Sequence, residues 1–263
     1  MTHIIYNNFI MPFINDYLFK IFSLVENKLQ HAQGKGYGAG TIKMENDLVH
    51  KLLGTKPLLA IDIGGNVGEY SAELRRRNAD LEIHVFEPSS TNLIKLNQRF
   101  GLDKGVHILP YAVSDRGESA TLYSNVPGSG LASLTQRRLD HFNIEFDVRE
   151  EVKTIRFEEY WRNSLSSRPM DIVKIDIEGH ELSALNGFGD SIKKVRVLQF
   201  EFGGCNIDTR TFFQDYWYYF KERGFDLFRI TPFGVQKIIK YQEADEFFST
   251  TNYIAVNNSL APL

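Results

Sequence analysis

Among 263 residues there is a single cysteine, Cys205, and there are only 8 prolines. One thiol closes no internal disulfide, and alone it cannot build the Cys-rich ligand set of a structural zinc site. A reducing compartment, the cytoplasm, is the expected home. An excess of one charge is missing too: 30 basic against 33 acidic residues leave a net charge of −3. Affinity for nucleic acid comes largely from Lys and Arg neutralising phosphates, so no nucleic-acid partner is expected. The 20 glycines are near ordinary usage, which excludes a collagen-like period. What is present, 43% hydrophobic and 24% charged residues, is the composition of a folded globular chain.

A long apolar run is also lacking. The nearest approach, Phe9 to Val25 (FIMPFINDYLFKIFSLV), is interrupted by Pro12, Asn15, Asp16, Lys20 and Ser23. A membrane span needs about 20 mostly apolar residues, and a secretory signal would need a basic start and a small-residue cleavage site. Pro12 suits the first turn of a helix. From there Ile14, Tyr17, Leu18, Ile21, Val25 and Leu29 recur at the spacing of one helical face. That face is expected to pack on the domain or on a second copy in a homodimer, with peripheral docking to a membrane surface as the other expectation. Gly34 to Gly40 (GKGYGAG) reads as a hinge, and Met44 to Leu53 resumes a helical pattern. Residues 1–53 are thus an N-terminal helical extension with its glycine hinge, and residues 54–263 are the main domain.

From Leu58 onward short apolar runs alternate with helical stretches, the pattern of an α/β domain with a parallel sheet. Strands are expected at Leu58–Ile63, Glu82–Phe86, Val106–Leu109, Asp171–Ile177, Val195–Phe202, Phe225–Ile230 and Asn252–Val256. An insertion from Ser114 to Ser167 carries a hairpin and a Gly/Ser-rich loop. Within Ala60–Tyr70 (AIDIGGNVGEY) a buried strand ends in an acid, glycines turn the backbone tightly, and a helix follows. Open α/β sheets bind cofactors at such a crossing. The dinucleotide fingerprint Gly-x-Gly-x-x-Gly fails, because Ile63 stands where its first glycine belongs, so a nicotinamide oxidoreductase is disfavoured. Asp62 is awkward beside a pyrophosphate and suits a cationic ligand such as a sulfonium with a free amino group. Glu87 ends the second strand about 20 residues later, where an acid accepts hydrogen bonds from both ribose hydroxyls of an adenosine.

These blocks, IDIGGNVGEYS, VFEPSSTNLIKLN, AVSDRGESATLY, SGLASL and VKIDIEGHELSALNG, taken in this order, resemble the FkbM-type S-adenosylmethionine-dependent methyltransferases. The resemblance runs from about Gly34 to Val256. It implies the class I methyltransferase fold, Rossmann-like, a seven-stranded mostly parallel sheet with helices on both faces and an antiparallel last strand pair. It also implies S-adenosyl-L-methionine as cofactor and O-methylation of a sugar, glycan or other small-molecule acceptor. By position, Asp62, Gly64, Gly65, Asn66 and Gly68 would form the methionine end of the cofactor site. Glu87 would hold the ribose, and Ala112 and Val113 would line the adenine. Gly65 stands where the family commonly has Ala.

The expected fourth strand, DIVKIDIEGHE, puts Lys174, Asp176 and Glu178 on one face by parity, alternating with Val173, Ile175 and Ile177. Ionisable groups in a central strand are costly to bury unless paired or functional, so this strand is expected to deliver Asp176 and Glu178 to the cleft. His180, at the start of the next helix, has the intrinsic pKa to take a proton from a hydroxyl near neutral pH. Glu178 and Asp176 compete for that role. No metal is required for this chemistry, although Asp176, Glu178 and His180 would make an oxygen and nitrogen ligand set. Pro127–Arg138 (PGSGLASLTQRR) reads as a lid, with Arg137 and Arg138 expected first as a solvated charge pair and otherwise as the contact for an anionic acceptor such as a phosphorylated or acidic sugar. Trp161, Tyr37 and FFQDYWYYF (Phe212–Phe220) offer stacking surfaces, though helical spacing favours the core for that cluster. A non-catalytic S-adenosylmethionine-binding or scaffold protein of the same fold is the alternative function.

Overall fold

A computed structural model describes residues 11–38 and 40–260, with side chains from Asn15 onward. The N-terminal helix α1 (Met11–Ala32) is followed by α2 (Ile42–Leu53), β1 (Leu59–Ile63), α3 (Glu69–Arg77), β2 (Glu82–Phe86), α4 (Ser90–Phe100) and β3 (Val106–Leu109). Then come β4 (Ala112–Ser114), β5 (Ser119–Ser124), β6 (Val148–Arg156), α5 (Phe157–Asn163), β7 (Met170–Ile175) and α6 (Glu181–Phe188). The chain closes with β8 (Val195–Phe202), α7 (Cys205–Thr209), α8 (Phe213–Lys221), β9 (Phe225–Thr231), β10 (Gly234–Ile238) and β11 (Thr251–Asn257). Phe9 and Ile10, and the side chain of Ile14, which begin the apolar stretch, lie outside the described residues.

The main sheet has the order β3-β2-β1-β7-β8-β11-β9-β10. β1 pairs in parallel with both β2 and β7, and β7 with β8, whereas β11 runs antiparallel between β8 and β9. Strands β1 and β7 are buried along their whole length. Parallel strands covered on both faces read as unbroken apolar runs, which is why LAIDI and MDIVKI were visible in the sequence. The sheet has eight strands where seven were expected. The addition is β10, which folds back antiparallel on β9 at the edge. The hairpin expected within the insertion is the β5–β6 pair, and it joins β4 in a separate three-stranded sheet.

Apolar side chains cover both faces. One core gathers Phe86, Phe157, Phe188, Phe200 and Tyr216; the other gathers Val49, Leu53, Tyr70, Leu96 and Val197. Val49 and Leu53 belong to α2, so α2 packs on the sheet with the main domain although its sequence position groups it with the extension. The chain runs outward from β1 to β3 and then returns to β7, which makes the β1/β7 seam the switch point of the sheet. A crevice opens at such a seam, outside the carboxyl ends of the strands.

Candidate active site

Two clefts meet at that seam. One, about 690 Å³ with its open part, is lined by Gly38, Gly65, Lys174, Glu201 and Asn252 among others. Its neighbour, about 660 Å³ on the same measure, is lined by Glu87, Ala112, Val113, Ser129, Glu178 and His180 among others. Gly64, Asn66 and Asp176 line both, so the clefts join over the glycine turn. At the turn the N–H groups of Gly64 and Gly65 donate to Phe86 O at 2.9 and 3.0 Å. Gly64 has φ +83°, and a Cβ there would stand 2.0 Å from Asp176 O. Only glycine lets β1 and the segment after β7 approach this closely. At Gly65 a Cβ would meet Val85 Cγ1 at 2.2 Å, so in this chain valine fills the space an alanine would need.

Glu87 serves the turn and the cleft together. Its Oε2 accepts the Asn66 N–H at 2.7 Å and its Oε1 accepts the Ser89 N–H at 2.9 Å. Burial raises its pKa to about 7. Asn66 itself has φ +47°, and its Oδ1 is buried without a hydrogen-bond partner among the described residues. Ala112 and Val113 wall the cleft opposite, Val113 also packing into the core. Asp62 lines neither cleft. It lies beneath the turn, wholly buried, with Oδ2 accepting the Ser71 hydroxyl at 2.6 Å and Oδ1 unpartnered among the described residues. Burial raises the pKa of this carboxyl despite the nearby charge of Lys174. Gly68 is likewise outside both clefts and opens α3 against α4.

The strand expected to carry Lys174, Asp176 and Glu178 stops at Ile175, so only Lys174 sits on it. One more ladder bond follows, Asp176 N to Ile63 O at 3.0 Å. Glu178 then adopts φ +55° and Gly179 φ +102°, and the backbone leaves the sheet. Glu181 holds this turn, its carboxylate accepting the N–H groups of Ile177 at 2.9 Å and Gly179 at 3.0 Å. Lys174 Nζ reaches Asp176 Oδ2 at 3.0 Å. Burial works to lower the Lys174 pKa, but Asp176 and Asp62 outweigh it and hold the ammonium above its ordinary value. Arg137 is largely covered, its side chain 9% exposed, 2.5 Å from Glu178 Oε2 and 3.5 Å from Asp208 Oδ2. It is therefore an internal counter-ion, whereas Arg138 is solvent-exposed beside Asp140. Burial and the charge of Asp176 raise the pKa of Glu178 to about 7 against the pull of Arg137. His180 caps α6 and meets Thr135 Oγ1 through Nε2 at 2.8 Å. Burial lowers its pKa, so the ring is neutral at pH 7.

The glycine-rich loop does cover the cleft. Ser129, Gly130, Ala132, Ser133 and Leu134 line it, and Ser133 is pinned by two backbone bonds to Tyr123 and by its hydroxyl to Glu178 O at 2.8 Å. Trp161 and most of the Phe212–Phe220 aromatics are buried in the core, leaving Phe212 and Tyr218 exposed.

Sequence reasoning missed Glu201, at the end of β8. Carboxylate oxygens of Asp176, Glu178 and Glu201 lie within 4.8 Å of one another. Lys174 and Arg137 pair with the first two, whereas the Glu201 carboxylate has no ion pair or hydrogen bond among the described residues. Burial beside Asp176 and Glu178 pushes its pKa well above the carboxylate range. His180, turned to Thr135, is not a member of this group. Its signal was available: Gln199 and Glu201 alternate with Leu198, Phe200 and Phe202 in a central strand, as Lys174 does in β7. Glu45 of α2 was also missed. It is buried, accepting from Gln199 Nε2 at 2.6 Å and Asn252 Nδ2 at 2.9 Å.

The family model described as "Methyltransferase FkbM domain" matches residues 62–227, from Asp62 on β1 into β9. The chain belongs to the FkbM methyltransferase family. Among FkbM relatives and methyltransferases, it is 22% identical over 191 residues to "2-O-methyltransferase NoeI" of Sinorhizobium fredii, covering 69% of this chain and 78% of that one. The crystal structure of methyltransferase FkbM from Methylobacillus flagellatus is 17% identical with a TM-score of 0.45, covering 76% of this chain and 44% of that one. This FkbM chain thus spans less than half the length of that solved relative. The plantazolicin methyltransferase BpumL, solved in complex with SAH, is 8% identical with a TM-score of 0.45, covering 91% and 90% of the two chains. No described helix is long and apolar enough to cross a membrane.

Proposed function

We propose that the chain is an S-adenosyl-L-methionine-dependent O-methyltransferase acting on a hydroxyl of a sugar, glycan or other small-molecule acceptor. The observation that carries this reading is the seam where the two clefts join. Three carboxylates gather there with two cations, one acid more than the cations match, so that the third can give up its proton when a sulfonium binds beside it. Beside it, Glu87 stands ready to accept the two ribose hydroxyls, and Ala112 and Val113 give a small apolar wall for adenine. The turn of Gly64, Gly65 and Asn66 faces the methionine end, where Asn66 Oδ1 still lacks a partner among the described residues. The donor set and the shape fit this cofactor.

When bound, S-adenosylmethionine supplies a methyl group on a positively charged sulfur, activated as a leaving group. What the chain contributes is mostly position: holding the acceptor oxygen and methyl in line is worth several kcal/mol in general. Asp176 and Glu178 would hold the positively charged end of the cofactor, and the Ser129–Leu134 loop, which lines the same cleft, would shield it from solvent. His180, neutral through burial, takes the proton of the acceptor hydroxyl, with Glu178 as the competing base. A base of this kind adds about 10²- to 10⁴-fold. Titration calorimetry with S-adenosylhomocysteine, with NADH as the negative control, followed by a screen of sugar nucleotides and glycans with labelled cofactor, tests the reading. Asp62→Ala is expected to abolish S-adenosylhomocysteine binding, since it removes the partner of Ser71 and a counter-charge of Lys174. His180→Ala should bind normally and transfer about 10²-fold or more slowly. Failure of the wild-type chain to bind S-adenosylhomocysteine would overturn the reading, and normal binding by Asp62→Ala would show that this buried carboxyl does not shape the turn.

A further inference from the structure

Helix α1 presents an apolar surface that the rest of the described chain leaves uncovered. Every residue from Asn15 to Leu29 is exposed, and eight large apolar side chains between Tyr17 and Leu29 are 38–68% exposed. At roughly 100 Å² each they exceed the ~300–600 Å² patch that a monomeric protein ordinarily leaves open. The packing of this helix on its own domain, one of the expectations from its spacing, is not what the structure shows.

The pattern within the patch indicates what covers it. Leu18, Phe22, Val25, Leu29 and Ala32 are separated by four, three, four and three residues, the alternation of a coiled-coil seam. At the helical period Asp16, Lys20, Ser23 and Asn27 fall on the opposite side. A helix that docks on anionic lipid carries a polar face rich in Lys and Arg. Here Asp16 and Glu26 balance Lys20 and Lys28, leaving no surplus of positive charge to draw the helix there. Two 22-residue helices, each about 33 Å long, packed along this seam bury on the order of 800 Å² per partner, the size of a standard stable interface. We propose that α1 pairs with α1 of a second copy of this chain, so that the protein is a dimer held by its N-terminal helices. The glycine hinge after α1 then connects the paired helices to the two domains.

The test is the mass of the full chain in solution at low micromolar concentration, by sedimentation equilibrium. The wild-type chain is expected at twice the chain mass. Phe22→Glu with Leu29→Glu should bring it to the monomer, whereas Ser23→Glu with Asn27→Glu, the same charge change on the opposite side, should leave the dimer intact. The melting temperature of the domain reports folding in each case, and the milder Val25→Ser should weaken the dimer at least tenfold if the double variant fails to fold. A monomeric wild-type chain would overturn the proposal, as would a dimer that survives these substitutions. So would a monomer that instead co-sediments with phosphatidylcholine/phosphatidylserine vesicles, which would make the helix a membrane anchor.

Discussion

The ionisation of Glu87 gives the sharpest test of the cofactor site. Its two oxygens already accept the N–H groups of Asn66 and Ser89, and its pKa is raised by burial to about 7. Ribose hydroxyls are donors here, so a ligand that uses them favours the carboxylate and must displace a proton whenever the group is neutral. With a pKa of about 7 the ionised fraction falls from about nine-tenths at pH 8 to about one-tenth at pH 6, and the dissociation constant for S-adenosylhomocysteine should rise about tenfold. Glu87→Gln keeps the volume and loses the charge. Its amide replaces only one of the two acceptors, so either the Asn66 or the Ser89 N–H faces another donor, at a cost of about 1–3 kcal/mol. The variant should bind at least tenfold more weakly at pH 8, with a shallower slope between pH 6 and pH 8, what remains coming from Glu178, whose pKa is also raised to about 7. Calorimetric titrations at pH 6, 7 and 8, with a thermal melt of each sample, read both effects. If Glu87→Gln binds with wild-type affinity and wild-type slope, the acid does not hold the ribose and serves the turn alone.

The same burial has a consequence for stability, seen most cleanly at Glu181, whose folded pKa of about 7 stands above the ordinary 4.5. Between those values the folded chain binds more protons than the unfolded one, so the contribution of Glu181 to stability declines as pH rises through that window. His84 and His180, lowered by burial, oppose this at the acid end, so the comparison is with Glu181→Gln. The stability of that variant relative to wild type should improve by roughly 2 kcal/mol from pH 5 to pH 8 in denaturant titrations, and a constant difference would refute the assignment. Gly65→Ala should destabilise the turn by about 1–3 kcal/mol through its contact with Val85 Cγ1. In a Val85→Ala background the same substitution should be nearly neutral; equal costs in both backgrounds would count against a steric cause.

The parts of this fold that were legible in the sequence are those where the cause is local. β1, β7 and β8 are buried on both faces, and the turn after β1 needs glycine at Gly64 because the chain after β7 presses on it. The edge strand β10 carried no comparable signal, since Gln236 and Lys237 are exposed and its pairing rests on the turn before it. The extent of β7 was misjudged for a related reason. Alternation continues through Glu178, but backbone conformation changes there, and side-chain parity is blind to a positive φ at a residue other than glycine.

Charge pairing was the least legible, and it is what decides the chemistry of the seam. Arg137 looked like a free cation on a lid because its partners, Glu178 and Asp208, are 41 and 71 residues further along the chain. Its charge is spent inside the protein, which removes the argument for an anionic acceptor that rested on it. Lys174 is spent in the same way on Asp176. With both cations committed, Glu201 is left without a counter-ion among the described residues, beside two carboxylates whose charges make its own ionisation costly. A largely desolvated acid in that position either keeps its proton or is matched by positive charge from a ligand. The sulfonium in the proposed complex would supply that charge where Gly64, Asn66 and Asp176 join the two clefts. The acid surplus that an inventory of one strand makes look unaffordable is therefore the feature that favours a cationic cofactor over a nucleotide phosphate at this turn.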